Sequence, residues 1–136
     1  SDTRKVVIGV AGDRSLRDLI PVARGIDEAL RQLAVYPELV VVADDVGSDH
    51  GVRSWTRWRS LTCARTKRVI LTPRNLIELL LSEAARLSLK PLLLTFGDGD
   101  TNDAYRGHAA KRDIETWSID ITTLNDVRIS RLHPES

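Results

Sequence analysis

Three short stretches of this chain are apolar almost without interruption: Val6-Val7-Ile8-Gly9-Val10, Leu39-Val40-Val41-Val42-Ala43, and Leu92-Leu93-Leu94 with Phe96 just beyond. A strand with one wet face alternates apolar and polar residues. A run with no polar member has both faces covered, as in a parallel sheet held between two layers of helices. Each run stops at polar, glycine-containing sequence: Gly12-Asp13-Arg14-Ser15, Asp44 to Gly51, and Gly97 to Asp103. Between them, Leu19, Val22, Ala23, Ile26, Leu30 and Leu33 recur at three- and four-residue steps, and so do Leu76, Leu79, Leu80, Ala84 and Leu87. That period places one apolar face on each of two helices. Strands alternating with helices argue for a parallel sheet with right-handed crossovers.

The pattern predicts helices over 52–59, from Pro73 to about Leu89, and over 101–111. Ser15 with Asp18 resembles a capping box, Pro21 fits only a first helical turn, and Thr72-Pro73 reads as an N-cap followed by proline at the first helical position. Further strands are expected at 91–96 and 115–121, and a third in chain order from 61–64, from 69–71 or from both. The core spans about 5–121. Residues 122–136 form either an edge strand or a disordered end.

A chain of 136 residues suits one domain with one core. Twenty basic against nineteen acidic residues leave a net charge of +1, so no global field draws the chain to nucleic acid or membranes. The single cysteine, Cys63, cannot form an internal disulfide, and no Cys/His spacing of a zinc site is present. With strand-sized apolar runs and a polar N-terminus, a soluble cytoplasmic protein without membrane contact is expected.

In open α/β sheets, ligands gather at the carboxyl ends of the strands. The loops expected there carry Gly12 and Arg14; Gly47, Ser48 and Asp49; Arg74 and Asn75; and Gly97, Gly99 and Thr101. Glycines allow a backbone to approach a ligand closely, arginines match phosphates bidentately, and hydroxyls meet sugar or phosphate oxygens. Plain solvated turns would use some of the same residue types. The ordered set resembles the SLOG superfamily of Rossmann-like domains, which includes the lonely-guy nucleotide phosphoribohydrolases and the DNA-processing protein of natural transformation. Val7 to Arg14 is similar to that family's first strand and glycine-(Ser/Asp)-Arg turn, and Val41 to Gly51 to its second strand and glycine-rich turn. Pro73-Arg74-Asn75 is similar to its helix start, and Gly97-Asp98-Gly99-Asp100-Thr101 to its Gly-Gly-x-Gly-Thr phosphate loop. The resemblance implies a single Rossmann-like α/β domain, a mostly parallel sheet of about five strands with helices on both faces. It also implies binding of a nucleotide or nucleotide-derived small molecule, and a homodimer. The leucine-rich stretch from Leu76 to Leu87 and Trp55 are apolar surface that such a dimer could hide.

The phosphate-loop likeness departs from the family at Asp98 and Asp100, where glycines are usual. In the hydrolase branch a glutamate follows the threonine by three residues; here that residue is Ala104, and Asp103 stands one position early. The alternative reading as a nucleotide N-glycosidic hydrolase therefore assigns catalysis to Asp103, with Arg74 orienting the phosphate. Asp98, Asp100 and Asn102 have the 1-3-5 spacing of a calcium loop, but its sixth position is Asp103 and its twelfth Ala109, so that reading fails. A looser Mg²⁺ site drawing on Asp44, Asp45 or Asp49 is the alternative to solvated turn carboxylates. The leading expectation includes no metal and no cofactor.

A second feature is charge segregation. From His50 to Ile77 there is no acidic residue, while Arg53, Arg57, Arg59, Arg65, Lys67, Arg68 and Arg74 accumulate around Trp55 and Trp58. Such a strip could follow a nucleic-acid backbone and stack on bases. Val52, Trp55 and Arg59 share a helical face, which instead favours Trp55 as a core residue. Imidazole suits acid–base work at neutral pH, but His50 and His108 have no partner identifiable in the sequence, and Cys63 reads as a small core residue.

Overall fold

A computed structural model of the chain describes residues 4–12, 19–42, 50–65, 73–96, 100–123 and 125–132. In chain order these form β1 (Arg4–Gly12), α1 (Leu19–Leu33), β2 (Val35–Val42), α2 (His50–Trp58), β3 (Cys63–Arg65), α3 (Pro73–Leu87), β4 (Lys90–Phe96), α4 (Asp100–Lys111), β5 (Glu115–Thr123) and β6 (Asp126–Leu132). The six strands make one sheet in the order β3-β2-β1-β4-β5-β6. The first five strands are parallel to their neighbours, and β6 pairs antiparallel with β5.

The apolar runs are buried on both faces, as their lack of alternation requires. Val6, Ile8 and Val10 of β1 point into one core with Val22, Ala23, Ile26 and Ala29 of α1 and Val52 and Trp55 of α2. Val7 and Ala11 point into the other, with Leu76, Ile77, Leu80 and Ala84 of α3 and Tyr105 and Ala109 of α4. Helices therefore cover both faces. Gly9 lies under α3, where an added Cβ would come within 3.0 Å of Leu80 Cδ2.

The sheet is mostly parallel, as expected, but it has six strands rather than about five, because the tail contributes β6 as an antiparallel edge strand, one of the two alternatives for that segment. Strand β2 begins at Val35, four residues before the apolar run. Its register slips by one between Val6↔Pro37 and Val7↔Leu39, leaving Glu38 as the extra residue. Pro37 is tolerated there because β3 pairs only with Val40–Val42, so the earlier part of β2 has a neighbour on one side only. The third residue segment expected to form strand resolves to Cys63–Arg65, with 66–72 outside the described residues.

Of the residues expected to offer dimer surface, Trp55 and one side of α3 are buried in the core, while Leu79, Leu81 and Leu87 are half-buried against it. Trp55 is 1% exposed, and Leu76, Ile77, Leu80 and Ala84 are buried. Among the described residues no helix is long and apolar enough to cross a membrane.

Candidate functional site

The chain winds outward from β1 to β2 and β3, then returns across the sheet to β4 and continues to β5. Winding thus reverses between β1 and β4, where Gly12 and Phe96, the last residues of the two strands, lie side by side in register. Helix α1 leaves β1 toward one face and α4 leaves β4 toward the other. Two helices that leave adjacent strands toward opposite faces are where an α/β sheet forms its ligand crevice at the carboxyl edge, and α4 directs its N-terminus toward that edge.

The sequence-predicted site residues fall into three groups. Gly12 stands at the crevice, and Thr101 lies in the first turn of α4. Arg74 and Asn75 occupy the first turn of α3 and are exposed. Arg14, Gly47, Ser48, Asp49, Gly97 and Gly99 lie outside the described residues, as do Asp44, Asp45, Asp98, Lys67 and Arg68. Asp103 is on the outer side of α4, its side chain 69% exposed, and its Oδ1 accepts from Arg106 Nη1 at 3.2 Å. His108, half-buried, lies farther along the same helix.

Arg106 is a residue that sequence reasoning passed over. Its side chain is 19% exposed. Helical side chains lean toward the N-terminus, so Arg106 reaches back toward the carboxyl edge. There Nη2 lies 3.4 Å from Thr95 Oγ1 and 3.5 Å from Ser118 Oγ, a cross-strand pair on β4 and β5. Thr95 is fully buried, one residue before Phe96. The available signal was a hydroxyl on each of two adjacent strands, at positions where the neighbouring residues are apolar, facing an arginine on the covering helix. A sequence scan has no means of pairing β4 with β5 at that register.

Phe96 is fixed by a close approach of α1. A Cβ on Gly25 would come within 2.6 Å of Phe96 Cε1 and 3.0 Å of Ile119 Cγ2. Gly25 therefore lets the helix backbone rest on the ring that ends β4 at the crevice.

Among its described residues the basic segment is not uniformly exposed. Trp55 is buried, and its Nε1 donates to Asp27 Oδ1 of α1 at 2.9 Å. Arg59 pairs with the other oxygen of Asp27 at 2.5 Å, and its guanidinium carbon sits 4.9 Å from the centroid of the Trp58 ring. Arg53 is half-buried, Arg57 is exposed, and Arg65 is the last residue of β3. Cys63 is half-buried and packs against the α1–α2 core. Away from the crevice on α1, Arg31 and Gln32 donate hydrogen bonds to Glu28 and hold its carboxyl down at about 2, and the same contact raises the pKa of Arg31. Among the described residues no three His, Cys, Asp or Glu side chains gather into a group that could hold a metal ion.

No family model matches the chain, and no curated protein matches it.

Proposed function

We propose that this chain is a Rossmann-like domain of SLOG type that binds a nucleotide or nucleotide-derived small molecule in the crevice between the carboxyl ends of β1 and β4. The observation that carries the reading is the reversal of winding between these strands, which sets Gly12 beside Phe96 at the carboxyl edge, the position at which open α/β sheets bind ligands. Glycine usage supports it. All four helices end without glycine, whereas Gly12 closes β1 at the edge and Gly47, Gly97 and Gly99 fall in connections that follow β2 and β4. Glycine used in this way serves close approach to a ligand more than helix termination.

The ligand's anionic group sits against the N-terminus of α4, with Thr101 in its first turn and Arg106 beneath. Arg106 is the better-placed arginine. It is mostly sheltered, so its bond to an anion is little screened, whereas Arg74 is exposed on the first turn of α3. Asp103 then acts as the counter-charge that orients Arg106 when the crevice is empty.

Ligands that bind the native state alone raise its melting temperature by mass action. A thermal-shift panel of AMP, ADP-ribose and a cyclic dinucleotide is expected to give a Tm increase with at least one. Arg106→Ala should weaken that ligand at least tenfold, with Arg74→Ala having the smaller effect. Absence of a shift with every member of the panel overturns the reading.

A further inference from the structure

The face carrying α1 and α2 holds a groove of about 670 Å³ that runs between the two helices on their outer side. Its apolar lining includes Ile20 and Ala23 of α1 and Trp58 of α2, with Arg24 and Arg57 beside them. Ile20 and Trp58 are 63% and 65% exposed, two of three large exposed hydrophobic residues among those described. On α1 the lining residues Ile20, Ala23, Arg24 and Asp27 follow helical i, i+3, i+4, i+7 spacing, so they form one continuous stripe beside α2. An exposed indole and arginines around a groove are the side chains that dominate binding energy at interfaces.

The charges choose the occupant. Among the described residues lining the groove the carboxylate is that of Asp27, and both of its oxygens are engaged, one by Trp55 and the other by Arg59. Arg57 is exposed and has no carboxylate within ion-pair distance among the described residues. Arg24 also faces the groove and lies close enough to Glu28 to help lower its pKa. The groove is therefore apolar along its floor and positive at its rim. A second copy docked groove to groove about a twofold axis would set these arginines against their own images, which like-charge repulsion disfavours. A nucleic-acid strand needs a track of cations with open aromatic faces. Here Trp55 is buried, and Arg59 is held by Asp27 and lies over Trp58, so among the described residues the groove has one indole with an arginine already over its ring.

We propose that the α1–α2 groove docks an acidic amphipathic peptide segment of a partner protein, with apolar side chains against Ile20, Ala23 and Trp58 and carboxylates toward Arg57 and Arg24. This is the helix-in-groove mode, in which anchors at i, i+3, i+4 and i+7 enter an apolar cleft. The proposal rests on the outer side of α1 and α2 and does not depend on what the β1–β4 crevice binds.

The test is a selection of random sixteen-residue displayed peptides on the whole chain, followed by fluorescence-anisotropy titration of the enriched peptides. Enriched sequences are expected to combine Leu, Ile or Phe with Asp or Glu. Their affinity should fall more than tenfold in Trp58→Ala and in Arg57→Glu, and a Glu→Lys peptide should recover binding to Arg57→Glu. Both positions are on the surface, so unchanged melting temperatures confirm intact folding of the variants. Several outcomes overturn the proposal: no enriched peptide, enriched peptides that are neutral or basic, or affinity indifferent to Trp58→Ala. It also falls if a single-stranded DNA oligomer requires Trp58 and excludes the peptides, or if Trp58→Ala dissociates a dimer.

Discussion

The two ends of the sheet are built differently. At the amino edge the helices return to the sheet through connections of one, four, two and three residues: 34, 59–62, 88–89 and 112–114. Each contains a non-glycine residue at positive φ: Ala34 at 53°, Ser60 at 56°, Ser88 at 56° and Asp113 at 56°. After three of them a backbone bond closes the helix end, from Leu61 to Thr56, Leu89 to Ala84 and Ile114 to Ala109. This is the Schellman arrangement, and an apolar residue follows each positive-φ position and packs against the core. At the carboxyl edge the connections run through 13–18, 43–49, 66–72 and 97–99, and three of them are longer than any at the amino edge. The edge that only has to turn the chain does so briefly and accepts backbone strain. The edge with the long connections is the one where the winding reverses between β1 and β4.

Gly25→Ala gives the largest expected effect on this contrast. Its new methyl group meets the Phe96 ring and Ile119 in a filled core, which costs about 1–3 kcal/mol. Urea unfolding should show the loss, and ligand affinity should fall with it, because Phe96 ends β4 at the crevice. Gly107→Ala is the control: nothing lies within 4 Å of its added Cβ, so helix propensity should raise stability by about 0.5–1 kcal/mol. A Gly25→Ala variant as stable as the parent would remove the close approach of α1 from the account.

Ala34→Gly probes the opposite edge. Glycine relieves the positive φ, and stability should rise by about 1 kcal/mol in the same unfolding measurement. Binding at the carboxyl edge should stay unchanged; a matching change in affinity would mean that the two edges are not independent.

The smallest effect concerns Glu28, which belongs to neither edge. Its folded pKa is lowered to about 2, so its contribution is present above the ordinary carboxylate value near 4.5 and disappears as the pH falls toward 2. Glu28→Gln should flatten the pH dependence of stability between those values, and an unchanged acid profile would assign that dependence to other carboxylates.

How much of this was legible in the sequence depended on whether the signal was local. Unbroken apolar runs marked β1, β2 and β4 because burial on both faces leaves no room for alternation. Helical spacing located α1 and α3, and Pro21 and Pro73 fall in their first turns, where proline's missing N–H is harmless. The start of β2 was hidden because Pro37 and Glu38 argue against a strand. The pairing of Arg4, Lys5 and Val6 with Val35, Tyr36 and Pro37 draws them in, with Glu38 as the bulge. In the candidate site, Gly12 and the start of α4 could be found from loop composition. Arg106 could not, because its placement depends on Thr95 and Ser118 lying next to each other on strands separated by a whole helix.

The sequence by itself determined which segments are strands buried on both faces, which helices cover them, and the alternation that makes β1 to β5 parallel. Those follow from hydrophobic period, a property of neighbouring residues. The tertiary structure alone decided the strand order, and with it the place where winding reverses. It also decided the burial of Trp55 against Asp27, the exposure of Trp58, and the placement of Arg106 over two strand hydroxyls. These depend on which distant segments meet, and that is settled by packing across the whole core.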